Sequence, residues 1–174
     1  ARVSWLGAAS AAFPQITTQW LLANINNWLM PYVANVKSIK QLKALSIYDL
    51  LVANLTWEQQ QQLNQQAPVN YITPSDKKVV IRYDENQGPT VSVALQEMFG
   101  QLTTPMLANG TVALRFELLS PARRPIQTTS DLANFWLTSY FDVAKDMRGR
   151  YPRHRWPEQP LLEKAGHSIK HKRR

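Results

Sequence analysis

Composition changes at Ala67-Pro68, where helical hydrophobic spacing gives way to strand signals. With the helical spacing that returns at Leu132, that change points to helices, then strands, then a closing helix. Before Ala67, Leu21, Leu22, Ile25, Trp28 and Leu29 recur at helical spacing, and Pro31 is expected to end their helix. Ser38-Ile-Lys-Gln41 and Thr56-Trp-Glu-Gln59 each place a hydroxyl three residues before a glutamine. In such a capping box the two side chains satisfy backbone donors that the first helical turn leaves open. Helices are therefore expected near residues 38–45, 47–54 and 57–66. The glutamine run at 59–62 reads as an exposed face of the last of these, with Leu55 and Leu63 on the apolar side.

After Pro68 the signals are those of strands, at 69–73, 79–84 and 90–95. Val79, Ile81 and Tyr83 alternate with Val80, Arg82 and Asp84, as one buried face requires. The segment 85–89 reads as a hairpin loop, 96–99 as a helical turn stopped by Gly100, and Asn109-Gly110 as a second hairpin turn before a strand over 111–119. Pro121 and Pro125 bracket Arg123-Arg124 in a loop. A helix capped by Thr128, with Asp131 at its third position, follows. Leu132, Phe135, Trp136, Tyr140, Val143 and Met147 form its core-facing stripe, and Gly149 is expected to end it. The fold class is α+β: a helical segment over 1–66, a small antiparallel sheet with a closing helix and an arginine-aromatic strap over 67–160, and a basic disordered tail over 161–174.

Charge is concentrated at the C-terminal end. The net charge is +8, and from Arg148 onward nine Lys/Arg face only Glu158 and Glu163. Such a polycation attracts polyanions in a salt-dependent way. Within it, Arg148, Arg150, Arg153 and Arg155 interleave with Tyr151, His154 and Trp156. Guanidinium groups grip phosphates, and flat rings stack on unpaired bases. The same residue types also favour protein interfaces, and they could equally strap the last helix onto the sheet.

Other chemistry is absent from the sequence. There is no cysteine, which excludes disulfides and thiolate metal sites and fits a cytoplasmic location. No glycine precedes a lysine as a phosphate loop needs, and GxSxG, HExxH and GxGxxG do not occur. His167 and His171 share a helix-face spacing but have no third ligand nearby, so no metal site is expected. Asp142 and Asp146, beside Lys145 and Arg148, read as a solvated face. No apolar run of membrane-spanning length exists. The initial Ala suggests a piece of a longer protein. This fragment is expected not to be an enzyme.

Several motifs carry a family resemblance: Leu95-Gln-Glu-Met-Phe-Gly100, Leu119-Ser-Pro-Ala-Arg-Arg-Pro125, Asp131-Leu with Phe135-Trp136, and Arg148-Gly-Arg-Tyr-Pro152 with Trp156-Pro157. Together with Trp57-Glu58 and Ala67-Pro68 they resemble the C-terminal domain of HrpB, a bacterial ATP-dependent helicase of the DEAH/RHA type. The resemblance runs from Arg2 to about Pro160. It implies a parent with two motor domains that hydrolyse ATP and unwind RNA or related duplexes, so that ATP and Mg belong to those domains and not to this fragment. The expected role is a non-catalytic accessory domain. Its expected partners are RNA or single-stranded nucleic acid and the parent's motor domains, and no membrane. The candidate contacts are Arg123, Arg124, Lys145, Arg148, Arg150, Tyr151, Arg153, Arg155 and Trp156. The alternative is a protein-interaction module that docks a cellular partner.

Overall fold

The computed structural model describes residues 1–11, 13–84 and 86–166, and the chain forms two units, Ala1–Ala67 and Pro68–Arg174. The first unit is helical. It contains α1 (Arg2–Ala9), α2 (Thr18–Ala23), α3 (Ile25–Trp28), α4 (Met30–Val33), α5 (Ile39–Ala44), α6 (Ile47–Ala53) and α7 (Trp57–Gln66). Thr56 and Gln59 make the reciprocal capping box at the start of α7. Ser38 caps α5 by accepting from the Gln41 N–H, while the Gln41 side chain accepts from Lys37 N–H rather than completing a box on Ser38.

The single helix expected across Leu21 and Leu29 is instead three short ones. Asn24 leaves helical geometry at ψ 19°, and its side-chain amide donates to Trp20 O, the carbonyl its own N–H also uses. This is the local competition that makes asparagine unfavourable inside helices. Pro31 does not stop a helix but lies in the first turn of α4, where its missing N–H costs nothing.

Arg2 fastens α1 to the end of α7, donating to Ala67 O at 2.7 Å and to Asn64 Oδ1 at 3.0 Å. Trp5, Leu6, Phe13, Trp28, Leu55 and Leu63 form the buried centre of this unit. Gly7 is needed there, because a Cβ at this position would lie 2.7 Å from Pro14 O. Gly7→Ala should therefore lower the stability of this unit by about 1–3 kcal/mol, the usual cost of forcing an extra methyl into a packed site. Thermal unfolding measures it, and an unchanged melting temperature would show that the Pro14 turn yields freely.

The second unit holds the strands: β1 (Asn70–Ile72), β2 (Lys78–Val80), β3 (Arg82–Asp84), β4 (Gly88–Ala94), β5 (Met106–Leu107), β6 (Val112–Ala113), β7 (Arg115–Leu119) and β8 (Pro125–Thr129). The main sheet has the order β3-β4-β7-β8. It is mixed rather than purely antiparallel, because β4 and β7 run parallel with Val91 opposite Phe116 and Val93 opposite Leu118. All four of these residues are buried, as the centre of a covered parallel pair requires. The crossover between the two strands runs through a 3-10 turn at Leu95–Met98 and the β5–β6 hairpin, not through a helix. The strand expected over 111–119 is split for the same reason. Leu114 N–H bonds Pro105 O, and the chain leaves the small hairpin to join the main sheet at Arg115.

The closing helix is also two, α8 (Leu132–Leu137) and α9 (Ser139–Arg150). Its cap is Asp131, which accepts from Asn134 N–H, whereas Thr128 is part of β8 opposite Glu117. Thr138 interrupts the helix by turning its hydroxyl onto Asn134 O. Gly149 lies inside the last turn, and the helix ends at Tyr151, whose N–H reaches Met147 O. Phe135, Trp136 and Tyr140 bury an aromatic cluster against Phe99, with ring centroids 4.9 to 6.2 Å apart. Among the described residues no helix is long and apolar enough to cross a membrane.

Candidate nucleic-acid interface

The nine candidate side chains fall into three groups. Arg155 and Trp156 belong to the fold. Trp156 is 4% exposed, and its indole N–H donates to Tyr151 O at 3.1 Å. The expectation that its ring offers a stacking surface is therefore corrected, since the apolar faces are already covered. Arg155 donates to Glu163 Oε2 at 2.9 Å and to Lys164 O at 2.7 Å, and its guanidinium lies 5.7 Å from the centre of the Phe99 ring. Tyr140 completes this strap by donating its hydroxyl to Pro157 O at 2.7 Å. Burial raises the pKa of that phenol, so it remains a donor through the neutral range.

These bonds also correct the expected tail. Residues 160–166 are tied to the second unit: Pro160 is buried in a short 3-10 turn, Gly100 N–H bonds Pro160 O, and Gly166 N–H bonds Gln96 O. The remaining residues of the expected tail, including His167 and His171, lie outside the described residues.

The second group is exposed and lies at the end of α9 and in the turn after it. Lys145, Arg148, Arg150 and Arg153 all face solvent, while Tyr151 is half-buried against His154. Arg150 pairs with Asp146 at 3.1 Å, and both side chains are more than half exposed, so the pair is worth little and is readily exchanged for another anion. Arg148 donates to Trp156 O at 3.0 Å and so serves the strap as well. Lys145 and Arg148 line one open depression of about 520 Å³ with Phe141, Ala144, Pro157 and Glu158.

Phe141 is the residue that sequence reasoning missed. It is 52% exposed, one turn before Lys145, and beside the buried stripe of Tyr140, Ala144 and Met147, with its ring 5.7 Å from that of Tyr140. Its signal was its position: Phe141 sits next to Tyr140 but off the apolar periodicity, which a fully buried phenylalanine would keep.

Arg123 and Arg124 form the third group. They occupy the tip of the β7–β8 hairpin, both exposed, with Arg123 at φ 62°. Ser120 holds this tip: its hydroxyl accepts from Arg124 N–H, its N–H donates to Arg124 O, and its carbonyl accepts from Arg123 N–H. Arg123 lines a cavity separate from the α9 depression, beside β2 and β4. Among the described residues no cluster of three His, Cys, Asp or Glu side chains could hold a metal ion.

Comparison with known proteins adds the relationship that this geometry alone does not give. The chain is 45% identical over 148 residues to the ATP-dependent RNA helicase HrpB of Escherichia coli strain K12, a match covering 85% of this chain and 18% of that protein. Its fold matches a crystal structure of the E. coli DExH-box NTPase HrpB with a TM-score of 0.83 at 42% identity, covering 94% of this chain and 21% of that one. It also matches a crystal structure of the Escherichia coli DEAH/RHA helicase HrpB with a TM-score of 0.68 at 41% identity, covering 89% and 20% of the two chains. The chain thus spans about a fifth of the length of these relatives. A family profile described as ATP-dependent helicase C-terminal matches residues 28–160, and the chain belongs to this HrpB C-terminal domain family.

Proposed function

We propose that this domain is a non-catalytic accessory part of an ATP-dependent RNA helicase, and that it holds a single strand of nucleic acid along the exposed face of α9 and the turn after it. The observation that carries this reading is the depression where Phe141 lies beside Lys145 and Arg148, with Arg150 and Arg153 exposed just beyond. An exposed ring next to cations provides both halves of sequence-tolerant strand binding, a stacking surface for a base and donors for phosphates. Arg123 and Arg124 add a second exposed basic point in the same unit. ATP and Mg²⁺ belong to the motor domains of the parent and are not used here.

A second reading has its own support. Leu137 and Phe141 are exposed apolar side chains at the start of the same helical region, and docking on a protein surface such as the motor domains would cover them. Titrating the purified chain with single-stranded RNA, single-stranded DNA and duplex RNA at several salt concentrations separates the two. Strand holding requires affinity for single strands that falls steeply with salt, and Phe141→Ala should cost about 1–3 kcal/mol on single strands and much less on duplex. Absence of binding at low salt would favour the docking surface instead.

A further inference from the structure

We infer that the second unit carries a phosphate-binding pocket between β2, β4 and the tip of the β7–β8 hairpin, apart from the α9 depression. The hairpin register of β3 on β4 places Arg82 opposite Thr90, and continued by two residues it would set Val80 against Ser92. That pairing is not made. Only the residues after Ile81 join β4, whereas β2, which precedes it, pairs with β1. A cavity of about 270 Å³ occupies the resulting wedge, lined by the residues the unmade ladder would have joined: Lys78, Val79 and Val80 on one side, Ser92, Val93 and Ala94 on the other. Strand edges that separate in this way present backbone donors to whatever enters the gap.

The charges around the wedge select an anion. Lys77, Lys78 and Arg123 line it against a single carboxylate, Glu97. Glu97 is buried and already committed, bonded by Ser75 Oγ and by the Lys77 ammonium. It therefore fixes Lys77 at the cavity wall, and because that pair is close to neutral, the net positive charge at the wedge comes from Lys78 and Arg123. Lys77 is placed twice over, since the β1–β2 turn also holds its N–H on Thr73 Oγ1 and Thr73 N–H on its carbonyl. Arg123 is held in left-handed geometry by the Ser120 bonds, which are local to the hairpin. Cations on two separately placed segments, Lys77-Lys78 and Arg123, around a small cavity that also offers Thr73 and Ser92, match a compact phosphate better than a flat or apolar ligand. Such a group can come from a strand backbone or from a free phosphate compound, and both present the same oxygens.

The test is an amide NMR titration of the full chain with inorganic phosphate, against chloride at equal ionic strength. Phosphate should shift the amides of Lys77, Lys78, Ser92 and Arg123 saturably, and chloride should not. The double variant Lys78→Ala, Arg123→Ala should bind phosphate about tenfold more weakly or worse, with unchanged melting, as loss of charged hydrogen bonds predicts. A single-stranded oligoribonucleotide that moves the same amides and displaces phosphate assigns the source to a strand, whereas saturation by phosphate alone assigns it to a free phosphate compound. Shifts equal to those in chloride, or a double variant that binds as tightly, would overturn the pocket. The site stands independently of α9: removing Lys145, Arg150 and Arg153 should leave the phosphate shifts as they are.

Discussion

Trp156→Ala should lower the stability of the second unit by about 3–5 kcal/mol, the usual cost of truncating a buried tryptophan. The ring is 4% exposed, its indole N–H is spent on Tyr151 O, and its carbonyl accepts from Arg148. Truncation opens a cavity and also loosens the turn that follows α9. Melting should fall by roughly ten degrees or more, given the slope expected of a unit this size. At temperatures where the variant is still folded, its affinity for single-stranded RNA should match that of the unaltered chain. A loss of affinity without a loss of stability would mean that the ring is reached by a base after all.

Arg155→Ala should cost about 2–3 kcal/mol, the most that a charged hydrogen-bond donor of this kind contributes. Arg155 gathers Glu163, Lys164 O and Gly166 O from the returning segment and lies over Phe99, with only 22% of its side chain exposed. Arg155→Lys should recover only part of the loss, because an ammonium lacks the planar fork that reaches several acceptors at once. Equilibrium unfolding in urea measures both variants. The salt dependence of RNA binding should not change in either. A slope reduced by roughly 0.7, the share of one phosphate on a single strand, would return Arg155 to the binding surface.

The features legible in the sequence are those decided over a few neighbouring residues. Thr56 and Gln59 define the start of α7 by bonds three residues apart, and Asn109-Gly110 defines the turn between β5 and β6. Where two local signals compete, the reading fails. The helix expected from Leu21 to Leu29 breaks where the Asn24 amide claims Trp20 O, and Thr128 lost the cap to Asp131 because β7 recruited it as a strand partner. The parallel pairing of β4 with β7 was hidden for a different reason. Its register depends on the crossover through residues 95–114, and the strands themselves carry no mark of the direction of their partner.

The candidate site divides along the same line. Residue type pointed to a region of arginines and aromatics, but exposure is set by tertiary packing. Trp156 and Phe141 have similar credentials in sequence, yet one is sealed beneath the strap and the other opens onto the depression beside Lys145. Arg155 and Arg153 are two residues apart, and only Arg153 remains on the surface. No spacing rule separates them, because Arg155 is withdrawn by Glu163 and by two carbonyls that follow it in the chain.

The most direct measurement is the salt slope of single-stranded RNA binding for the triple variant Lys145→Ala, Arg150→Ala, Arg153→Ala beside the unaltered chain. These three side chains are exposed and leave the strap bonds of Arg148, Arg155 and Trp156 in place, so melting should stay within about a degree or two. If the end of α9 holds the strand, the slope of log affinity against log salt should become shallower by about two units, near 0.7 for each phosphate no longer neutralised. An unchanged slope with intact folding would contradict strand holding by α9.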